Sequence, residues 1–129
     1  MPSGLPAVTG DVLTAANYNS LVAFTVGTAN TSDYTAVLAD SYQVLEVMNK
    51  ATAIAFKIPT NASVAFPIGT ALTVLNIGAG VCTISAVTPA TTTILSAGAV
   101  AASPTLAQYK SAVCIKTATD TWYVVGGIA

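Results

Sequence analysis

Ala53-Ile54-Ala55-Phe56-Lys57-Ile58 is the stretch that decides the fold class. Ile54, Phe56 and Ile58 fall on one side of an extended chain, and Ala53, Ala55 and Lys57 fall on the other. That two-residue period is what a half-buried strand requires. Short blocks of the same kind surround it. Residues 44–49 precede it, and residues 71–77, 81–86, 92–96, 112–117 and 121–125 follow. Pro59-Thr60-Asn61-Ala62-Ser63 reads as a turn, and Val64-Ala65-Phe66 as a short edge segment closed by Pro67. Gly78-Ala79-Gly80 links two blocks into an expected hairpin, and Ala118-Thr119-Asp120 links the last two into a second. Frequent turns and no sustained helical run after residue 24 give an all-β expectation: a sandwich or barrel of short antiparallel strands. A β-solenoid is the alternative for a chain this rich in Thr, Ala and Gly, and the lack of a fixed period counts against it.

Upstream of the strands the pattern changes. Residues 1–10 hold two prolines, two glycines and no charge, and read as an extended arm. Thr14 is a candidate N-cap ahead of Ala15 and Ala16, and Leu13, Tyr18, Leu21 and Phe24 approximate helical spacing. One short helix is expected over about residues 15–22, too short to stand alone without docking. Residues 25–33 are polar and loop-like. The expected division is therefore 1–33 for arm, short helix and linker, and 34–129 for the β domain. Met1-Pro2-Ser3-Gly4-Leu5-Pro6 lacks a basic segment and a continuous apolar one, so no secretory signal is expected.

Composition narrows the function. Of 129 residues 53% are hydrophobic and 7% charged, against about 25% charged in an average soluble domain. Four lysines and five acids give a net charge of −1, with no arginine and no histidine. Without imidazole there is no Ser-His-Asp triad and no His-ligated metal. Without guanidinium there is no bidentate phosphate clamp. No basic footprint for nucleic acid or for a membrane surface exists. Residues 58–109 carry no charge at all, yet Thr, Ser, Asn, Gly and Pro break them into short blocks, which excludes a spanning helix. Disorder conflicts with so apolar a chain.

The remaining candidates for chemistry have ordinary explanations. Asp11 precedes the helix and Asp120 sits in a turn. Asp33 and Asp40, seven residues apart, could form a glycosidase-like carboxylate pair, but no supporting constellation accompanies them. Cys82 and Cys114 read as buried thiols acting as small hydrophobes. Asn30-Thr31-Ser32 and Asn61-Ala62-Ser63 match the glycosylation pattern by chance in a Ser- and Thr-rich chain. Gly78-Ala79-Gly80 lacks the helix and lysine of a phosphate loop. Of the adjacent Trp122 and Tyr123, one is expected in the core and the other as edge cover or interface. No enzyme activity, cofactor or metal is expected.

Two stretches resemble tailed-bacteriophage virion surface proteins. The first, Gly10-Asp11-Val12-Leu13-Thr14-Ala15-Ala16-Asn17-Tyr18-Asn19, is similar to an opening that recurs near the N-termini of phage tail and capsid-surface proteins. The second runs from about residue 38 to residue 126. Its landmarks are Leu45-Glu46-Val47-Met48-Asn49, Ile58-Pro59-Thr60-Asn61-Ala62-Ser63-Val64-Ala65-Phe66-Pro67-Ile68-Gly69-Thr70, Gly78-Ala79-Gly80-Val81-Cys82-Thr83-Ile84 and Ile115-Lys116-Thr117-Ala118-Thr119-Asp120-Thr121-Trp122-Tyr123-Val124-Val125-Gly126. It resembles a β-rich module used on virion surfaces, and it is most like that of a capsid decoration (cement) protein.

The resemblance implies a structural protein on the outer surface of a phage head, made in the bacterial host cytoplasm. Its partner would be the major capsid protein. A tail-fibre or baseplate component binding a host receptor or glycan is the alternative. Leu5, Pro6, Val8, Val12, Leu13, Tyr18, Leu21 and Phe24 are the candidate partner-binding anchors, apolar side chains on a flexible lead. Ordering that lead costs about 1–2 kcal/mol per backbone residue, which roughly 25 cal/mol per Å² of apolar burial has to offset. A homo-oligomer is expected, a trimer in preference to a dimer, because trimers suit local threefold positions on a capsid.

Overall fold

The computed structural model describes residue 15 and residues 23–128. The alternation at residues 54–58 forms strand β4 (Ile54–Ile58), with Ile54, Phe56 and Ile58 buried and Ala55 and Lys57 half-buried. β6 (Cys82–Ala86) repeats the pattern parallel to it, Ile54 facing Cys82 and Ile58 facing Ala86. β2 (Tyr34–Thr35) lies parallel on the other side of β4, and β9 (Thr105–Leu106) pairs antiparallel with β6. These four make one sheet, in the order β2-β4-β6-β9.

The second sheet has seven strands. They are β1 (Thr25–Val26), β3 (Val44–Met48), β5 (Ala71–Asn76), β10 (Lys110–Ala118), β11 (Thr121–Gly126), β7 (Thr93–Ser96) and β8 (Ala99–Val100), in that spatial order. The protein is thus mainly β, as its alternation requires. The expectation of antiparallel strands is corrected. Both sheets are mixed, and neither closes on itself.

The reason lies in how the chain travels. From β1 to β6 each successive strand goes to the opposite sheet and lies parallel to the strand one turn earlier. Parallel pairing demands such a crossover, because a tight turn returns the chain only antiparallel. Between the last two turns every paired residue is offset by 28, from Leu45 against Thr73 to Ile58 against Ala86. The turn before is shorter, with Thr25 facing Val44 and Tyr34 facing Phe56. This winding is the coil that the lack of a fixed period counted against. The turns differ in length, so no period runs through the sequence.

The hairpin expected around Gly78-Ala79-Gly80 is therefore wrong. β5 and β6 belong to different sheets, and the glycines mark a crossover. A Cβ on Gly80 would overlap the Thr52 carbonyl, and one on Gly78 would overlap the Lys50 backbone. Gly80 N–H donates to the Lys50 carbonyl (2.9 Å), so one crossover rests on the previous one. Asn76, fully buried, fixes the bend by donating to the carbonyls of Gly80 and Leu106 (both 2.9 Å) and accepting from Gly78 N–H (3.1 Å).

After β6 the pattern changes character. β10 and β11 form the second expected hairpin, Cys114 opposite Val124 and Lys116 opposite Trp122, with an irregularity between Lys116 and Ala118. β10 docks antiparallel on β5, and β7 docks parallel on β11. Three further differences from the sequence reading stand out. Thr25 and Val26, read as loop, form the edge strand β1. Val64-Ala65-Phe66 forms no strand, and Phe66 instead plugs the core. β7 and β8 make a hairpin through Ala97 (φ 50°) and Gly98 (φ 82°). Two positive φ values in sequence are what a two-residue hairpin turn needs, but Ala-Gly is not a dipeptide that announces one.

Both sheets feed one buried cluster. Ile54, Phe56, Ile58, Cys82, Ile84 and Leu106 come from the four-stranded sheet. Met48, Leu72, Val74, Ala112, Cys114, Trp122, Val124 and Ile94 come from the seven-stranded one. Phe66 meets Trp122 edge to face at 5.5 Å, a favoured aromatic geometry. Each buried Val, Leu, Ile or Phe contributes about 1.5–3 kcal/mol.

Candidate functional site

The anchors Leu5, Pro6, Val8, Val12, Leu13, Tyr18 and Leu21 lie outside the described residues, as does the expected helix apart from Ala15, which is helical. Phe24 is described, and its side chain is 57% exposed. It leads directly into β1, the edge of the seven-stranded sheet, where Val26 is 68% exposed. Apolar side chains on an exposed sheet edge invite a further strand or a partner surface.

The outer face of the same sheet is apolar as well. The pleat sends Ala112, Cys114 and Lys116 of β10 inward, so Val113 and Ile115 point outward. On β11, Trp122 and Val124 go inward, leaving Tyr123 (43% exposed) and Val125 (49%) outside. Register places these side by side: Thr73, Val113 and Val125 form one row, and Ile115, Tyr123 and Leu95 the next. None of them is charged. A shallow groove beside Tyr123 and Val125 is floored by Leu95 and the Ala97–Ala99 turn. Of Trp122 and Tyr123, then, the first is core and the second surface.

The buried charged residues Asp40, Glu46 and Lys116 fall into two sets. In the first, Tyr34 donates its hydroxyl to Asp40 Oδ2 (2.7 Å), and Val37 N–H donates to the same oxygen (2.9 Å). Glu46 lies beside Asp40, and Asn30 donates to Glu46 Oε2 (3.0 Å). Both carboxyl groups are buried. Burial first, then Asp40, raises Glu46 from 4.5 to about 7. Burial and the Asp40 hydrogen bond likewise raise Tyr34. Asp33 is elsewhere, accepting from Ala55 N–H (3.0 Å) and pairing with Lys57 at 3.8 Å across exposed surface. The fold does not bring together the Asp33 and Asp40 considered for glycosidase chemistry. The carboxyl pair it does form is Asp40 with Glu46.

The second set surrounds Lys116, whose side chain is fully buried in the core-facing row of β10. Its ammonium donates to Asn61 Oδ1 (2.6 Å) and to the Phe66 carbonyl (2.7 Å). Asp120 Oδ1 accepts from Asn61 N–H (2.8 Å) and from the Thr92 hydroxyl (3.3 Å). Desolvation lowers the Lys116 pKa, and the Asp120 charge opposes that shift. Sequence reading missed Lys116 and Glu46. The only available signal was that each occupies a position whose strand neighbours at i±2 face inward. The two glycosylation-like sequons turn out to supply Asn30 and Asn61 to these sets.

Cys82 and Cys114 are free and buried, facing the same core from different sheets. Burial pushes their thiols up to about 11 and about 12, so neither is a nucleophile at neutral pH. Among the described residues no group of three His, Cys, Asp or Glu could hold a metal. No described helix is long and apolar enough to cross a membrane. Comparison with protein-family models, with curated proteins and with solved structures found no match.

Proposed function

We propose that this chain is a structural, non-catalytic component of a tailed-bacteriophage virion, a capsid decoration protein that bridges capsid subunits on the outside of the head. The observation that carries this reading is the uncharged outer face of the seven-stranded sheet, continuous in register through Val113, Val125, Ile115, Tyr123 and Leu95. A face of this kind favours permanent cover by a neighbour. The two sheets sharing one core support reading the β domain as an open sandwich. The address on a virion rests on the sequence resemblance described above. In this reading the arm and Phe24 grip the major capsid protein, and the sheet face holds copies of the chain together, as a trimer in preference to a dimer. Virion location follows, with synthesis in the host cytoplasm.

The test is addition of the purified protein to phage heads prepared without it. The full chain is expected to decorate the heads evenly and to raise the temperature at which they fall apart. A variant lacking residues 1–24 is expected to keep its β circular dichroism and lose head binding. Full binding by that variant removes the role given to the arm. Labelling of tails in place of heads replaces this reading with a tail-fibre or baseplate component.

A further inference from the structure

Lys116 is an unusual core residue. Its side chain is fully buried, it lies opposite Trp122 in register, and its two hydrogen-bond partners are neutral amide oxygens, Asn61 Oδ1 and the Phe66 carbonyl. A buried ammonium ordinarily requires a carboxylate at contact distance. Here the contact is the side-chain amide of Asn61. A 2.6 Å hydrogen bond to Asn61 Oδ1 also puts the nitrogen within about 3.5 Å of the amide carbon, close enough that rotation of the amide turns the face of that carbon toward the amine. Asp120 is fastened to the same turn through Asn61 N–H and Thr92, and it is the carboxylate whose charge acts on Lys116.

We propose that Lys116 and Asn61 join covalently through a self-catalysed isopeptide bond, with Asp120 as the proton carrier. Three groups the reaction needs are present: an amine on a fully buried side chain, an amide within reach, and a carboxylate hydrogen-bonded to the residue that carries that amide. Burial favours the neutral amine, the form that attacks.

The ammonium first gives one proton to the Asp120 carboxylate through solvent at the half-buried Asn61 and Asp120, the relay that also serves the later proton exchange. The lone pair on Lys116 Nζ then attacks Asn61 Cγ, and the carbonyl electron pair moves onto Oδ1. Asp120 passes its proton to Asn61 Nδ2 and takes one from Nζ. The Cγ–Nδ2 bond breaks as the carbonyl re-forms, and ammonia leaves. Ammonia then removes the carried proton as ammonium, returning Asp120 to its starting state. No oxidant, reductant or cofactor enters the balance. The product bond spans 55 residues of chain and ties the β4–β5 loop to β10. Such a bridge restricts the unfolded state much as a disulfide does.

Intact mass spectrometry of the folded protein tests this directly. The wild-type chain is expected to be lighter than its sequence by one ammonia, about 17 Da. A tryptic digest is expected to give one branched species joining residues 58–110 to residues 111–129, because an acylated Lys116 is not cleaved. Lys116→Met, Asn61→Ala and Asp120→Asn are each expected to show the full sequence mass, with circular dichroism confirming that they fold. A wild-type chain of full mass that yields linear peptides 58–110 and 111–116 overturns the proposal. So does a loss of ammonia that maps to another asparagine. Asp120→Asn that still forms the branched species overturns the role given to Asp120.

Discussion

The two sheets share one core but are built by opposite rules. The four-stranded sheet is conventional: Ile54, Phe56, Ile58, Cys82, Ile84 and Leu106 point inward, and Lys57, Thr83, Ser85 and Thr105 point outward. The seven-stranded sheet reverses this in part. Its inner face includes Glu46, Asn76 and Lys116, and its outer face carries Leu95, Val113, Ile115, Tyr123 and Val125. Burying an ionisable group costs several kcal/mol unless partners repay it, and exposing apolar surface forgoes about 25 cal/mol per Å². A sheet that does both is shaped by more than its own folding. The polar groups inside set unique contacts, and the apolar groups outside are the surface that the proposed function assigns to a neighbour.

The sharpest way to break that contrast is Lys116→Ala. It strips the donor from Asn61 Oδ1 and the Phe66 carbonyl and leaves a void beside Trp122. Urea unfolding should show a loss of about 3–5 kcal/mol, as large as for truncating an apolar core residue. Were the loss below about 1 kcal/mol, the inner face of this sheet would be ordinary after all.

Glu46 offers a gentler change with a distinct signature. Its folded pKa, about 7, lies above its ordinary 4.5 because of burial and then Asp40. Between those values the folded chain binds a proton that the unfolded chain releases, so stability falls as pH rises through the window. Unfolding free energy should be about 2 kcal/mol greater at pH 5 than at pH 8 on account of this group. Glu46→Gln keeps the acceptor for Asn30 and cannot ionise. It should flatten the dependence and stabilise the chain at pH 8 by a similar amount, measured by urea titration at both pH values. A wild-type chain equally stable at both would show that Glu46 is not desolvated as described.

The smallest stability change belongs to the outer faces, where assembly is the sensitive readout. Tyr123→Ser combined with Val125→Ser should move the unfolding free energy by less than about 1 kcal/mol. The same variant should reduce a light-scattering mass to that of one chain. Thr83→Ser with Thr105→Ser, on the other sheet, should alter neither. Retention of the oligomer by the first pair would remove the contrast between the two outer faces.

How much of this was legible follows from the same geometry. The strands at residues 44–48, 54–58, 71–76, 82–86, 93–96, 110–118 and 121–126 were readable because alternation is a local property of neighbouring side chains. The hairpin through Ala118-Thr119-Asp120 was readable because its turn is local. The β5–β6 link was misread because a glycine-rich turn looks the same whether it reverses the chain or clears the backbone of the crossover below. Thr25 and Val26 carry no strand signal of their own, and β3 makes them a strand by pairing with them. Lys116 and Glu46 were passed over because a charged residue on a strand is read as outward. Their positions beside Cys114 and Met48, two residues away and inward, were the only contrary sign.

By itself, then, the sequence determined that this is a β protein nearly without charge, lacking the side chains for histidine or arginine chemistry. These are properties of composition and of the two-residue period, and they hold in any arrangement of the strands. Only the tertiary structure decided that the strands run parallel for three turns and which side of each faces the core. It alone placed Asn61 against Lys116, 55 residues away in sequence. Register is a non-local choice, made where the summed burial of both sheets is greatest, and a slip of one residue would have exchanged every inner side chain for an outer one.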